Sequence, residues 1–101
     1  MKWLQALNDY QLYLKIERGL SQNSIDSYSR DLKKLLSFLE ENTIVISPIN
    51  ISNDTIQKFI YDASKSINAR TQARLISGLR SFFDYLIFEN YRTTNPTDLI
   101  E

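Results

Sequence analysis

Asn23, Ser27, Arg30 and Lys34 follow one another at steps of four, three and four residues, and Arg70, Arg74, Ser77 and Ser81 repeat those steps. On an α-helix this spacing holds each set to one narrow stripe. Each stripe spans eleven residue steps, or ~16 Å at a rise of ~1.5 Å per residue. Arg, Lys, Asn and Ser are the side chains that pair with phosphate oxygens and purine edges. A helix carrying such a stripe fits the ~12 Å major groove of B-DNA and reaches the backbone on both walls. Neither stripe contains an acid, although Asp31 and Asp84 lie close by, and Arg80 flanks the second stripe. A polar stripe opposite an apolar one is also what any amphipathic surface helix presents. On the helix that carries the second stripe, however, three arginines and two serines stand without a compensating carboxylate, which solubility alone does not require.

Other chemistry has little to work with. The chain has no His and no Cys, so it offers no Ser-His or Cys-His pair, no disulfide and no nitrogen or sulfur ligand for zinc. The carboxylates are scattered along helical faces with no close pair, so neither catalysis by this chain nor a metal or other cofactor is expected. The six tyrosines raise the alternative of base stacking on single strands, but most fall on apolar helical faces. The pairs Asp31/Lys34 and Asp84/Arg80 sit at helical spacing and read as solubility features, each contributing about 0.2–0.5 kcal/mol.

The elements that position the stripes follow from apolar periodicity. Two glycines and two prolines in 101 residues favour long helices over a turn-rich β fold. A first helix is expected from about Trp3 to Arg18 on Trp3, Leu4, Leu7, Leu14 and Ile16, with Gly19 closing it in the left-handed conformation. Ser21 is a suitable N-cap for a second helix reaching about Glu41 on Ile25, Tyr28, Leu32, Leu35, Leu36 and Leu39. The β-branched run TIVISPINIS resembles a strand, but Pro48 interrupts it, and residues 42–52 read as a loop. Ser52 or Asn53 caps a third helix to Ser64. A fourth is expected from about Arg70 to Asn90 on Ala73, Leu75, Ile76, Leu79, Phe82, Phe83, Leu86 and Ile87, with Gly78 in its middle. Asn95-Pro96 marks a boundary, and the tail from Thr97 has the length for one short fifth helical turn. The expected architecture is an all-α, orthogonal four-helix bundle.

Composition agrees with one soluble domain: 43% apolar and 24% charged residues, with a net charge of zero. A basic balance is the usual footprint of nucleic-acid binding, but here the charge is segregated. Between Asp62 and Asp84 lie Lys65, Arg70, Arg74 and Arg80 with no acid, while Glu17, Glu40, Glu41 and Asp98 lie elsewhere. No apolar run approaches the ~20 residues of a membrane span. The first residues lack a signal-peptide core, and a cytoplasmic location is expected.

Two segments carry a family resemblance. GLSQNSIDSYSRDLKKLLSFLE resembles the second-helix signature of the amino-terminal, SAM-like core-binding domain of tyrosine recombinases, the Xer and phage-integrase group. Its elements are Leu20-Ser21, the polar run Gln22-Asn23-Ser24, and Tyr28-Ser29-Arg30-Asp31-Leu32. ARTQARLISGLRSFFDYLIFENYRTTNP resembles the fourth helix of that domain, from Arg74 through Leu86, with an extra Ile in Leu75-Ile76-Ser77. Asn95-Pro96 matches the exit toward the catalytic domain.

The resemblance implies a core-type DNA-binding domain over residues 1–95, and the start of a linker to an absent catalytic domain over 96–101. It implies a C-shaped clamp on double-stranded DNA in which helices 2 and 4 face the major groove. Ser21, Asn23, Ser24, Ser27 and Arg30 would touch phosphates or adjacent bases from helix 2, and Arg70, Thr71, Arg74, Ser77 and Arg80 from helix 4. Further implied partners are the catalytic domain of the same chain and neighbouring protomers of a synaptic tetramer. Trp3, Leu4 and Leu7 of helix 1 either meet such a protomer or complete the core. The competing reading is a helical protein–protein interaction module without DNA affinity, in which exposed aromatic residues carry the binding.

Overall fold

A computed structural model describes residues 1–100. It contains α1 (Trp3–Ile16), α2 (Gln22–Glu41), α3 (Asn53–Ser64) and α4 (Ala69–Phe88), and no strand among the described residues. The chain divides into two units, Met1–Pro48 and the part from Ile49 onward.

In the first unit α1 packs on α2. Ala6, Leu7, Tyr10 and Leu14 are buried on α1, and Ile25, Leu32, Leu35, Phe38 and Leu39 on α2. These positions fall on one face of each helix, which is how each sets an apolar stripe against its neighbour. A polar contact crosses the pair: Gln11 Nε2 donates to Ser29 Oγ at 2.9 Å, and that hydroxyl donates to the Ile25 carbonyl at 2.7 Å. α1 ends two residues earlier than its periodicity indicates. Gly19 takes φ +61° and the Leu20 amide folds back to the Leu14 carbonyl at 3.0 Å. Ile16, expected to bury, is 71% exposed.

At the other end of α2, the Ile44 amide bonds the Leu39 carbonyl at 2.8 Å and the Thr43 amide bonds that of Glu40 at 3.1 Å. This is a Schellman closure, with Thr43 at the left-handed position (φ 54°) where glycine is usual. A β-branched residue is strained there, at about 1–2 kcal/mol for a non-glycine residue. Thr43→Gly is therefore expected to raise stability by roughly 0.5–1 kcal/mol, part of the gain being offset by the freer unfolded chain. A urea melt followed by circular dichroism reads it, and an unchanged or lower midpoint would contradict it. The loop then runs without a strand to Pro48, held where Trp3 Nε1 donates to the Ile46 carbonyl at 2.7 Å.

In the second unit α3 packs on α4. Ser52 caps α3 by accepting the Thr55 amide at 3.3 Å. Asn68 caps α4 by accepting the Thr71 amide at 2.9 Å, so that helix starts one residue earlier than its apolar pattern marks. Ile56, Phe59 and Ile60 of α3 are buried, as are Leu75, Ile76, Gly78, Leu79, Phe82, Phe83, Tyr85 and Leu86 of α4. Ala73, assigned to the apolar face from sequence, is exposed. α4 closes through Asn90, at φ 63°, with the Tyr91 amide on the Leu86 carbonyl at 2.9 Å.

The residues after α4 stay in this unit. Asn95, Pro96 and Thr97 are buried, and Asn53 Nδ2 donates to the Pro96 carbonyl at 2.9 Å. Among the described residues the tail forms no fifth helical turn. It makes two turns, Asp98 amide to Asn95 carbonyl and Ile100 amide to Thr97 carbonyl, both at 3.1 Å.

Candidate nucleic-acid interface

Both stripes lie on solvent-facing sides of their helices. On α2, Asn23, Arg30 and Lys34 are exposed and Ser27 is partly exposed. At its start the Ser21 hydroxyl accepts the Ser24 amide at 3.3 Å and meets the Ser24 hydroxyl at 3.2 Å. Those two serines therefore order the first turn before they meet any ligand. On α4, Arg70, Thr71, Arg74, Ser77 and Arg80 are exposed and Ser81 is partly exposed. Neither helix has an acid in its first turn, so the partial positive charge of the unpaired amides there is not offset locally.

The two acids nearest the stripes behave differently from their sequence reading. Asp31 is 2% exposed, which removes it from the surface that Lys34 occupies. The solubility pair assigned to those two residues does not describe this geometry. Asp84 is exposed, but its Oδ1 accepts the Asn95 side-chain amide at 2.8 Å, and the same nitrogen donates to the Arg80 carbonyl at 3.1 Å. Local spacing had marked Asp84 as a partner of Arg80 instead.

The tyrosines divide. Tyr10 and Tyr85 are buried, whereas Tyr61 is 69% exposed with the Lys65 ammonium 5.1 Å from its ring centroid. Of the residues assigned to a protein interface, Leu7 is 4% exposed and is a core residue, Trp3 is partly buried and anchored to the loop, and Leu4 is 68% exposed. Leu12 and Ile16 of α1 also face solvent, and the sequence reading missed Leu12.

Arg92 was missed as well. Its guanidinium lies over the Phe83 ring, 5.3 Å from the centroid, and donates to the Ile51 carbonyl at 3.1 Å. Burial pulls its pKa below the ordinary guanidinium value. The surface grooves include one along Gln57, Ile60, Tyr61, Ser64, Gln72, Leu99 and Ile100 and one along Asn8, Gln11, Leu12, Lys15, Gln22 and Ile25. Neither is lined by two ionisable groups facing each other. No helix among the described residues is long and apolar enough to cross a membrane.

Four helices, three of them capped by Ser21, Ser52 and Asn68, define an all-α module of the SAM-like type, and comparison with known proteins places it. The chain belongs to the family described as phage integrase, N-terminal SAM-like domain, whose model matches residues 7–90. It is 35% identical over 96 residues to the tyrosine recombinase XerD of Halalkalibacterium halodurans, a match covering 94% of this chain and 32% of the relative. It is 39% identical over 97 residues to the XerD of Staphylococcus saprophyticus, with the same coverage of each chain. It is 36% identical over 99 residues to the tyrosine recombinase XerC of Herpetosiphon aurantiacus, covering 96% of this chain and 32% of that one. The chain thus spans about a third of the length of these curated relatives. No solved structure matches it significantly.

Proposed function

We propose that this domain grips one side of a DNA duplex through the outer faces of α2 and α4, and that it does so in the cytoplasm as part of a site-specific tyrosine recombinase. The observation that carries this reading is the acid-free, solvent-exposed set Arg70, Thr71, Arg74, Ser77 and Arg80 on α4. Asn23, Arg30 and Lys34 provide a second exposed set on α2. Ser21, Ser24 and the first-turn amides supply neutral donors for phosphate at the start of α2, with Ser27 and Ser81 at the stripe margins. In the whole recombinase the catalytic domain would close on the opposite side of the duplex and perform the strand chemistry.

The test is a fluorescence-anisotropy titration of the chain with a labelled duplex of about 30 base pairs at several salt concentrations. Five to seven phosphate contacts would give a log–log salt slope of about −4.5 to −6.3. The absence of binding even at low salt would sink the reading for the isolated domain. Lys34→Ala is expected to weaken binding to every duplex alike and to make the slope shallower by about 0.9, as the loss of one phosphate contact does. A loss confined to one DNA sequence would contradict that role.

Exposed Leu4, Leu12 and Ile16 favour a second role for α1, contact with a neighbouring recombinase protomer in a synaptic assembly. Self-association that survives polar substitution at all three positions would exclude it.

A further inference from the structure

We propose that Asn95 is a positioning residue for Arg80: it engages the Asp84 carboxylate and so leaves the Arg80 guanidinium available to a DNA phosphate. The inference rests on the DNA-contact reading of α4 and deepens it. Arg80 and Asp84 stand four residues apart on one helix, the spacing at which such a pair ordinarily joins. Here Asp84 Oδ1 receives Asn95 Nδ2 at 2.8 Å, and the second hydrogen of that amide goes to the Arg80 carbonyl at 3.1 Å. The orientation of the Asn95 amide is set by its other partners. Its Oδ1 accepts the Thr97 backbone amide at 2.9 Å and the Thr97 hydroxyl at 2.6 Å, and a backbone N–H can only donate. All four hydrogen-bonding positions of the amide are therefore engaged.

The surroundings make the arrangement stable. Asn95 is 6% exposed and Thr97 is fully buried, while Pro96 is held from the other side by Asn53. The segment leaving α4 is thus tied to the flank of the basic stripe by one side chain. Removing that amide would free the Asp84 carboxylate to swing toward Arg80, one turn away, and neutralise it.

Binding of the chain to a fluorescein-labelled duplex of about 30 base pairs tests this, with folding checked by circular dichroism for every variant. Arg80→Ala is expected to weaken wild-type binding roughly twofold to fivefold at low salt and to flatten the salt slope by about 0.9. In the Asn95→Ala background it should cost less than half as much, because Asp84 already occupies Arg80. Asn95→Ala by itself should weaken binding, and Asn95→Ala/Asp84→Ala should restore it. A loss that Asp84→Ala does not rescue would assign Asn95 a merely structural role and overturn the proposal.

Asp84→Asn leaves an amide-compatible oxygen opposite Asn95 and guards against an Asn95 variant that fails to fold. It should change affinity by less than about threefold, while a tightening of about fivefold or more would mean that the carboxylate already competes for Arg80 and would overturn the proposal. If Arg80→Ala has no effect on wild-type binding while Arg70→Ala and Arg74→Ala do, the inference fails and DNA binding by α4 stands. If none of the three matters, the DNA reading of α4 fails with it.

Discussion

Replacing Arg70 and Arg74 together by Ala is expected to weaken duplex binding by about 2–4 kcal/mol, roughly 30-fold to 1000-fold, with the fold unchanged. Both side chains are exposed on α4, one turn apart, at the end of the helix where the free amides point outward. A guanidinium that bonds a guanine edge in the major groove contributes about 1–3 kcal/mol of discrimination, and one that bonds phosphate contributes less but adds about 0.9 to the salt slope. The double variant should therefore show both lower affinity and a shallower slope. Neither residue belongs to the core, so the circular dichroism spectrum should stay the same. Unchanged binding by a folded double variant would remove α4 from the interface and favour a protein-interaction role.

The second large effect concerns stability. Phe83→Ala should cost about 3–5 kcal/mol, the range for truncating a fully buried aromatic residue. Phe83 is 0% exposed, packs edge-on against Phe82 with centroids 5.0 Å apart, and lies under the Arg92 guanidinium. Its removal opens a cavity and also takes away the ring that covers a partly desolvated cation. Against a domain stability of about 5–15 kcal/mol, such a loss leaves a marginal fold. Urea denaturation reads it directly, and a loss below about 1 kcal/mol would show that the site collapses around the truncation.

Much of this architecture is legible locally. The Ser21 cap, the left-handed Gly19 and the apolar positions of α2 are matters of three- and four-residue spacing, which the backbone geometry imposes wherever a helix forms. Pro48 breaks the β-branched run, and residues 42–52 form a loop, not a strand. The start of α4 was placed one residue late because Asn68 lies outside the apolar pattern, although Asn68-x-x-Thr71 is itself a capping spacing. Ile16 and Ala73 were placed inside because periodicity assigns a face without saying how wide a neighbour will cover it. For the same reason the candidate interface on α1 divides, with Leu7 in the core and Leu4 in solvent.

Residue type and near-neighbour spacing are enough for the four helices, their polar stripes, the family and the lack of His and Cys chemistry. Which polar groups meet across elements follows from packing instead. Trp3 reaches the Ile46 carbonyl across 43 positions, Gln11 reaches Ser29 across 18, and Asn95 reaches Asp84 across 11. The partners lie on different elements, so no contact within one helix could have joined them. A buried polar group takes whichever partner the packed backbone brings within about 3 Å; the buried Asn95 amide takes the Asp84 carboxylate in this way, which spacing alone would pair with the arginine one turn away on its own helix.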